Sequence, residues 1–307
     1  TGRDAGRLLV EATADAAGRV LLDAVAHNAT FRALAGKVTA SQAPGSSVES
    51  APDRDARVLS VDRLGTSIAY ASAYVVKLYH RMEEGTAPEL EVGRCLEAEG
   101  HRGLTPRVLG YVDYRVARNE PVTLAVVEEY IVSEGTAWRQ ARGEIARAYD
   151  RVLAQPPECA PPDVPLGALL DLLTIEPPVA HAELMGHYGE HAMLLGRRTA
   201  ELHLALAGST DPAFEPHPYS AMDQRSKYQT ARNLIGRLLA SLRRALPSLP
   251  EESRATAEMV LGAEHRILAK FDPLLTQRID AKQIRLHGHL HLGHALFTGK
   301  DFVFVAV

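Results

Sequence analysis

The sequence predicts an α+β fold in which a small, mostly antiparallel sheet with one helix precedes a mainly helical region. Between Arg57 and Ile131 the chain carries five short runs rich in β-branched and aromatic residues, which favour strands. After Ile131 these runs stop, and apolar residues recur at the spacing of helices. Strand-forming residues return at Ala295–Val307, around a glycine-containing turn typical of a hairpin.

The predicted sheet has its helix inserted between the third and fourth strands. The predicted strands are Val58–Val61, Thr66–Tyr70, Tyr74–Tyr79, Val108–Val112 and Val122–Val127. The helix is predicted over Pro88–Glu99, because proline suits a first helical position and Gly100 suits the end of a helix.

Leucine-rich stripes predict the helices that follow. They cover residues 138–153, 166–173, 188–207, 228–246 and 251–270, and the proline-rich stretch 155–167 is predicted to be a loop. The terminal hairpin has strands at Ala295–Phe297 and Phe302–Val307, joined by the turn Thr298–Asp301. Since the sequence stops at Val307, we expect the last strand to lack cover and to lower solubility.

The first residues are predicted to form a short helical cap and a linker. Two short helices are expected between Arg7 and Leu34, with breaks near Gly18 and Asn28, and the Ser-, Pro- and Gly-rich stretch Thr39–Asp55 reads as an exposed linker. Three domains follow from this organisation. They are a cap with linker at 1–56, a sheet-rich lobe at 57–132 and a mainly helical lobe at 133–307.

Composition restricts the classes of function. Of 307 residues, 46% are apolar, and the net charge of −4 offers no basic surface for nucleic acid or an anionic membrane, which leaves small solutes as partners. Cys95 and Cys159 do not have the spacing of a metal or redox site, so a cytoplasmic setting is expected. Because the first residue is Thr1 and not Met, we expect a piece of a longer polypeptide.

The stretch His287–His294, named the histidine loop below, holds four of the 13 histidines. Two interpretations are open. Alternating His287, His289 and His291 on one side of an extended strand, together with His294, would form a Zn²⁺ site, although Gly288 and Gly293 disfavour a regular strand. Alternatively, the stretch is a kinase catalytic loop in which key residues have changed.

The kinase interpretation rests on a resemblance. Leu286–Leu296 resembles the H-G-D-x-H-x-x-Q loop of the aminoglycoside-phosphotransferase-like kinases, and most closely that of the maltokinases. Phe297–Val303 resembles the hairpin beside that loop. Further similar segments are Val76–Leu78, Pro88–Arg94, Leu124–Tyr130, Glu134–Trp138, Leu195–His203 and Arg225–Leu234. The chain looks most like the kinase portion of polypeptides in which trehalose synthase precedes maltokinase.

The resemblance implies a bilobal, protein-kinase-like fold and transfer of the γ-phosphate of ATP to the anomeric hydroxyl of maltose. The product would be maltose 1-phosphate, which feeds α-glucan and trehalose metabolism. Lys77 would reach the ATP phosphates and be held by a carboxylate of the following helix, with Glu91 preferred over Glu89. The other implied ATP contacts are the phosphate-covering turn of Leu64 with Gly65, Thr66 and Ser67, and the adenine-binding hinge of Glu128, Glu129 and Tyr130.

Three positions depart from the family pattern. His289 stands where the family has its catalytic Asp, His294 where it has a metal-binding Gln, and Ala306 where it has the Asp that holds Mg²⁺, while His287 and His291 match loop histidines. Because Mg²⁺ prefers hard oxygen ligands, we expect it to bind poorly and the kinase to be impaired. The alternatives are a non-catalytic nucleotide-binding module of a fused or associated trehalose synthase, and a histidine-rich Zn²⁺ site; incidental Zn²⁺ affinity is also expected.

Overall fold

The computed structural model describes residues 16–33, 35–50, 56–61, 65–116, 119–154 and 185–305. The chain forms two compact units. The first comprises the described residues up to Pro212 together with those from Leu286 onwards, and the second is Ala213–Arg285. None of the described helices is long and apolar enough to cross a membrane.

A seven-stranded antiparallel sheet dominates the first unit, which confirms the prediction of a mostly antiparallel sheet with an inserted helix. Its strands are β1 (Thr30–Arg32), β2 (Lys37–Gln42), β3 (Ala56–Val61), β4 (Gly65–Tyr70), β5 (Tyr74–Tyr79), β6 (Val108–Arg115) and β7 (Val122–Glu129). Their order across the sheet is β1-β2-β6-β7-β5-β4-β3. Helix α1 covers residues 16–26, and helix α2 (Pro88–Ala98) lies between β5 and β6 in the chain.

The two faces of the sheet bury different side chains because successive residues of a strand point to opposite faces. On one face, Leu22 and Val25 of α1 pack with Ile68, Val76 and Val127. On the other, Leu90 of α2 packs in a cluster with Ala43, Val108 and Val126. The sheet therefore lies between α1 and α2, and the α2 face carries the candidate site.

A three-stranded antiparallel sheet completes the first unit, with the order β12-β11-β8. Its strands are β8 (Gly135–Thr136), β11 (Ala295–Phe297) and β12 (Phe302–Phe304), and the accompanying helices are α3 (Ala137–Leu153) and α4 (Tyr188–Ala207). Thr136 caps α3 by accepting a hydrogen bond from the Arg139 N–H at 3.3 Å. Trp138, the chain's one tryptophan, lies in the first turn of α3 and is 56% exposed.

The second unit is mainly helical. Its helices are α5 (Ala221–Ala245), α6 (Glu251–Gly262), α7 (Glu264–Ala269) and α8 (Pro273–Thr276), and its short strands β9 (His217–Pro218) and β10 (Lys282–Gln283) pair antiparallel. Ser220 and Asp223 form a capping box at the start of α5, in which each side chain bonds the other's backbone N–H. This cap explains why α5 begins seven residues before Tyr228, the predicted start.

Several predictions near the start of the chain are wrong. Lys37–Gln42 is a strand paired with β6, so the first residues of the predicted linker Thr39–Asp55 belong to the sheet. Thr30–Arg32 is a strand and not a helix. Gly18 lies within α1 and does not break it. The lack of a side chain at Gly18 leaves room for the Tyr70 hydroxyl, because a Cβ there would lie 2.2 Å from that oxygen.

Two further differences concern the helical region and the hairpin. The helix predicted over 251–270 is divided at Ala263 into α6 and α7. Phe302 and Phe304 are each 1% exposed, so the expectation of an uncovered strand is wrong for the described residues of β12. The predictions for residues 155–173 and for Ala306 lie outside the described residues. The three-domain division at residues 56 and 132 stays a prediction.

Candidate functional site

The candidate site forms where strand alternation and the start of α2 bring three charged side chains together. Val126 faces α2, and so does Glu128 two residues later. Lys77 lies opposite Val126 in the register of β5 and β7, which places it diagonally beside Glu128 on the same face. Pro88 starts α2 above this point, and Glu89 in its first turn extends over Lys77.

Lys77 is paired with two buried carboxylates. Its ammonium group forms an ion pair with Glu89 and lies 3.0 Å from Oε2 of Glu128. The Lys77 side chain is 9% exposed, that of Glu89 10% and that of Glu128 5%. The Tyr79 hydroxyl donates a hydrogen bond to the other Glu89 oxygen at 2.8 Å. Buried charges require such partners, so this group, named the lysine cluster below, fixes the position of the Lys77 ammonium.

The protonation states within the lysine cluster follow from burial and charge. Burial alone would lower the pKa of Lys77, but the charges of Glu128 and Glu89 outweigh burial and raise it, so Lys77 stays charged. Burial raises the pKa of Glu128 to about 8, against the opposing effect of Lys77. Lys77 thus stays charged between the two carboxyl groups, and that of Glu128 holds a proton near neutral pH.

The carboxylate predicted to hold Lys77 was the wrong one of two. Glu89, not the preferred Glu91, is the α2 residue in the ion pair with Lys77. Glu89 and Glu91 are two residues apart on a helix, so they project in different directions, and the entry of α2 at Pro88 turns Glu89 toward the sheet.

His287, at the start of the histidine loop, borders the lysine cluster. It lines a narrow cleft together with Glu89, Gly93, Glu128 and Phe304. Its Nδ1 is buried without a hydrogen-bond partner, and burial lowers the pKa of the imidazole while the charge of Glu89 opposes that effect. The structure therefore places His287 beside Glu89 and Glu128 of the lysine cluster.

The described residues of the expected phosphate-covering turn belong to a strand. Leu64 lies outside the described residues, and Gly65, Thr66 and Ser67 are the first residues of β4, paired with β3 and β5. Thr66 is 1% exposed, and its hydroxyl lies 2.8 Å from Nε2 of His80. The backbone of these residues is thus engaged in the sheet, and the Thr66 hydroxyl is engaged with His80. Ser67 lies directly opposite Lys77 in the ladder and supports that strand.

The expected hinge is partly closed by its own hydrogen bonds. The Glu129 N–H donates to the Arg107 carbonyl at 3.0 Å, and the Tyr130 N–H donates to the Ala73 carbonyl at 2.9 Å. Glu128 is a member of β7 whose side chain belongs to the lysine cluster. The N–H groups of Glu129 and Tyr130 are therefore already used within the chain.

Three rings of the histidine loop meet. The nitrogens that His289, His291 and His294 can offer all lie within 4.8 Å of one another, and the His291 and His294 ring centroids are 3.8 Å apart. The loop is not an extended strand, because Gly288 has φ of +94° and Leu292–His294 form a 3₁₀ turn. His287 consequently points away to the lysine cluster, and the Zn²⁺ set predicted from alternation is reduced to three histidines.

A clamp that sequence reasoning missed anchors the segment after the histidine loop. Arg198 of α4 donates to both carboxylate oxygens of Asp301, one of them at 2.6 Å, and Asp301 accepts from the Phe302 N–H at 2.8 Å. The hydrogen bonds from Arg198 lower the pKa of Asp301. Arg198 and Asp301 are 103 positions apart, so only their membership of the resembling segments could have suggested a common role.

Comparison with known proteins gives relatives among sugar kinases. No family model matches the chain. A glucosamine kinase of Mycolicibacterium smegmatis is 24% identical over 250 residues, which cover 81% of this chain and 51% of that protein. The chain thus spans about half the length of this curated relative.

Solved structures of glucosamine kinase share the fold. One, in complex with glucosamine, ADP and inorganic phosphate, matches with a TM-score of 0.57 and 22% identity over 95% of this chain and 56% of that one. Two other crystal forms, A and B, match with TM-scores of 0.56, again over 95% of this chain. These similarities identify the fold as that of part of a sugar kinase.

Proposed function

We propose that this chain is the nucleotide-binding part of an ATP-dependent sugar kinase. The observation that carries the proposal is the buried ion pair between Lys77 and Glu89. A sheet lysine held by a carboxylate of the following helix is the arrangement that positions ATP phosphates in kinases. The fold shared with glucosamine kinases and the 24% identical relative support the same class of reaction.

Lys77 would contribute charge and position. Because its ammonium is buried and held from two sides, it cannot rotate away, and an incoming phosphate would meet a fixed positive group. His287 would lie at the edge of the same site, where its buried Nδ1 has no hydrogen-bond partner. Adenine would rest near Glu129 and Tyr130, using the carbonyl groups of the hinge or the N–H groups of residues 131–133.

The residues present do not suit Mg²⁺. His289 and His294 offer nitrogen at the two loop positions where the resembling family has oxygen donors, and the nearby carboxylates, Glu89 and Glu128, face Lys77. This chemistry favours a second candidate function, a module that binds nucleotide without transferring phosphate.

The acceptor is proposed from similarity alone. The relatives' name suggests glucosamine, and the resemblance of the histidine loop suggests maltose, with maltose 1-phosphate as product. Under the second suggestion a fused or associated trehalose synthase would supply maltose, in the cytoplasm.

Thermal unfolding with ATP tests the proposal first. A ligand that binds the native state stabilises it by about 2.7 kcal/mol at 100 times its Kd. We expect ATP to raise the Tm of the wild-type chain and of Lys227→Met, an exposed control, and to leave that of Lys77→Met unchanged. Absence of an ATP effect on the wild-type chain at millimolar concentration would overturn the proposal, whether or not Lys77→Met folds.

Transfer of labelled γ-phosphate to glucosamine and to maltose then separates the two candidate functions. A labelled sugar identifies a kinase and its acceptor. Binding of ATP with no labelled sugar at any divalent cation tested would establish the non-catalytic module.

A further inference from the structure

Three histidines of the histidine loop have the geometry of a metal site, and no carboxylate among the described residues belongs to the group. His289, His291 and His294 each contribute a ring whose nitrogen lies within 4.8 Å of the others. The centroid of the His289 ring lies 5.0 Å from that of His291 and 4.9 Å from that of His294. His294 is 5% exposed, whereas the other two are exposed, so an ion could enter from solvent and be held from below.

The hydrogen bond of His294 prepares its ring for a metal. Its Nδ1 lies 2.5 Å from the His289 carbonyl oxygen, which can only accept, so Nδ1 carries the proton and Nε2 has a free electron pair. A carbonyl that orients the far nitrogen in this way is the usual support of a metal-binding histidine.

His291 is held in the opposite sense. Its Nδ1 accepts a hydrogen bond from the Gly293 N–H at 2.9 Å, so the neutral ring carries its proton on Nε2. To bind a metal, His291 must give up this hydrogen bond. Either the proton moves to Nδ1, so that Nε2 binds the ion, or the ring turns so that Nδ1 binds it. His291 is therefore the ligand that limits affinity, and His289 and His294 form the preformed part of the site.

The ligand type selects the ion. Three neutral imidazoles suit Zn²⁺, Co²⁺, Ni²⁺ and Cu²⁺, whereas Mg²⁺ and Ca²⁺ require oxygen. Three histidines also leave a fourth tetrahedral position open to water or to an anionic oxygen.

We propose that His289, His291 and His294 bind one divalent transition-metal ion of the Zn²⁺ class. The site does not depend on the proposed kinase function, because it uses none of the residues of the lysine cluster and is tested with the metal alone. If both hold, the ion would share one position with the metal site of the resembling family, that of His294, where the family has a metal-binding Gln.

Metal titrations of the purified chain test the proposal. Zn²⁺ is added against a chromophoric chelator, and Co²⁺ is added separately because its visible absorption reports coordination number. We expect one equivalent of Zn²⁺ to bind, and Co²⁺ to give the intense bands of a four-coordinate ion. Millimolar Mg²⁺ should not compete.

Single substitutions decide which residues are responsible. His289→Ala and His294→Ala should each weaken Zn²⁺ binding about 10-fold or more, the loss typical of a damaged metal site. His265→Ala, an exposed histidine of the second unit, should bind as the wild type does. Because His294 is buried, circular dichroism must first show that each variant is folded, and the exposed His289 remains a decisive position if His294→Ala is not.

The proposal is overturned if the wild-type chain binds no stoichiometric Zn²⁺, or if binding persists unchanged in His289→Ala. If His289→Ala loses Zn²⁺ binding but still binds ATP, the result supports this site and leaves the proposed function standing. If the wild-type chain binds Zn²⁺ but ATP does not change its Tm, the result supports the site and contradicts the proposed function.

Discussion

At the scale of single residues, Glu128 is the least expected member of the lysine cluster. It is 4% exposed, and its backbone is paired in the centre of the sheet. Two carboxyl groups around one ammonium cannot both be neutralised by it, so one of them must hold a proton or carry an uncompensated charge. Because burial raises the pKa of Glu128 to about 8, this residue makes the stability of the chain depend on pH near neutrality.

Glu128→Gln should reveal this dependence. A raised native pKa gives stability that is complete below the unfolded value, about 4.3 for Glu, and that is lost as the pH rises through about 8. The variant should resemble the wild type at pH 5 and exceed it in free energy of unfolding by about 4 kcal/mol at pH 9, because each pH unit between the two pKa values contributes about 1.4 kcal/mol. Urea unfolding at pH 5, 7 and 9 measures the difference.

Glu120→Gln provides the matched control, because Glu120 is exposed. Its difference from the wild type should not change with pH. A difference for Glu128→Gln that is equal at pH 5 and pH 9 would show that Glu128 ionises normally.

The residue scale also shows where sequence reasoning stops. Lys77 was correctly expected to meet an acid of the following helix, because strand and helix patterns are readable from composition. The choice between Glu89 and Glu91 depends on the rotation of α2 about its axis, which the entry at Pro88 and the packing of Leu90 set. A pattern of residue types contains no such angle.

At the scale of elements, glycines in two helices should respond oppositely to the same substitution. A Cβ at Gly93 of α2 would lie 2.6 Å from Cγ2 of Val108, whereas a Cβ at Gly236 of α5 would meet nothing within 4 Å. Gly93→Ala should therefore lower the free energy of unfolding by about 1–3 kcal/mol. Gly236→Ala should raise it by about 1 kcal/mol, since alanine favours a helix.

Denaturant unfolding of the two variants measures these changes, and each serves as the control for the other. Stabilisation by Gly93→Ala would mean that α2 can move away from β6. In that case the position of Glu89 over Lys77 would not be fixed by packing.

Helices and strands with a strong local sequence pattern were predicted well. Strand β2, which depends on hydrogen bonds to a distant strand, was not predicted. Tyr188–Ala207 is a helix with the predicted bounds, and the strands from Thr66 to Val127 were placed correctly. Strand β2 was missed because Lys37–Gln42 has one large apolar residue, Val38, and becomes a strand by pairing with β6 along its whole length. Composition cannot identify a pairing partner that lies 68 to 78 positions further along the chain.

At the scale of the whole molecule, the two units differ in how much apolar surface they bury. In Ala213–Arg285 three apolar residues are buried, namely Phe214, Leu239 and Ala257. Each of the single strands β4, β5 and β7 also has three buried apolar residues. Local stability follows buried apolar contacts, so the second unit should open more readily than the central strands.

Hydrogen exchange followed by mass spectrometry checks this expectation. Amides of α5 and α6 should exchange faster than those of β4, β5 and β7, although both groups are hydrogen-bonded. Equal protection would show that the second unit unfolds only together with the first.

The class of reaction could be inferred from the sequence, but the acceptor sugar could not. The resemblance led to a sugar kinase, and the relatives found by comparison are sugar kinases, but glucosamine and maltose differ in chemistry that this chain's described residues do not distinguish. Since the chain covers 56% of a solved relative, residues outside that share can decide the acceptor there.

The position of Trp138 gives the chain an optical reporter of its own. It is the one tryptophan, so all indole fluorescence arises at the start of α3. Thr136, two residues earlier, is paired with Leu296 of β11, which begins immediately after His294. A half-exposed indole is sensitive to small changes in its solvent contact. Emission intensity can therefore follow ion or nucleotide binding near the histidine loop in solution, without a label.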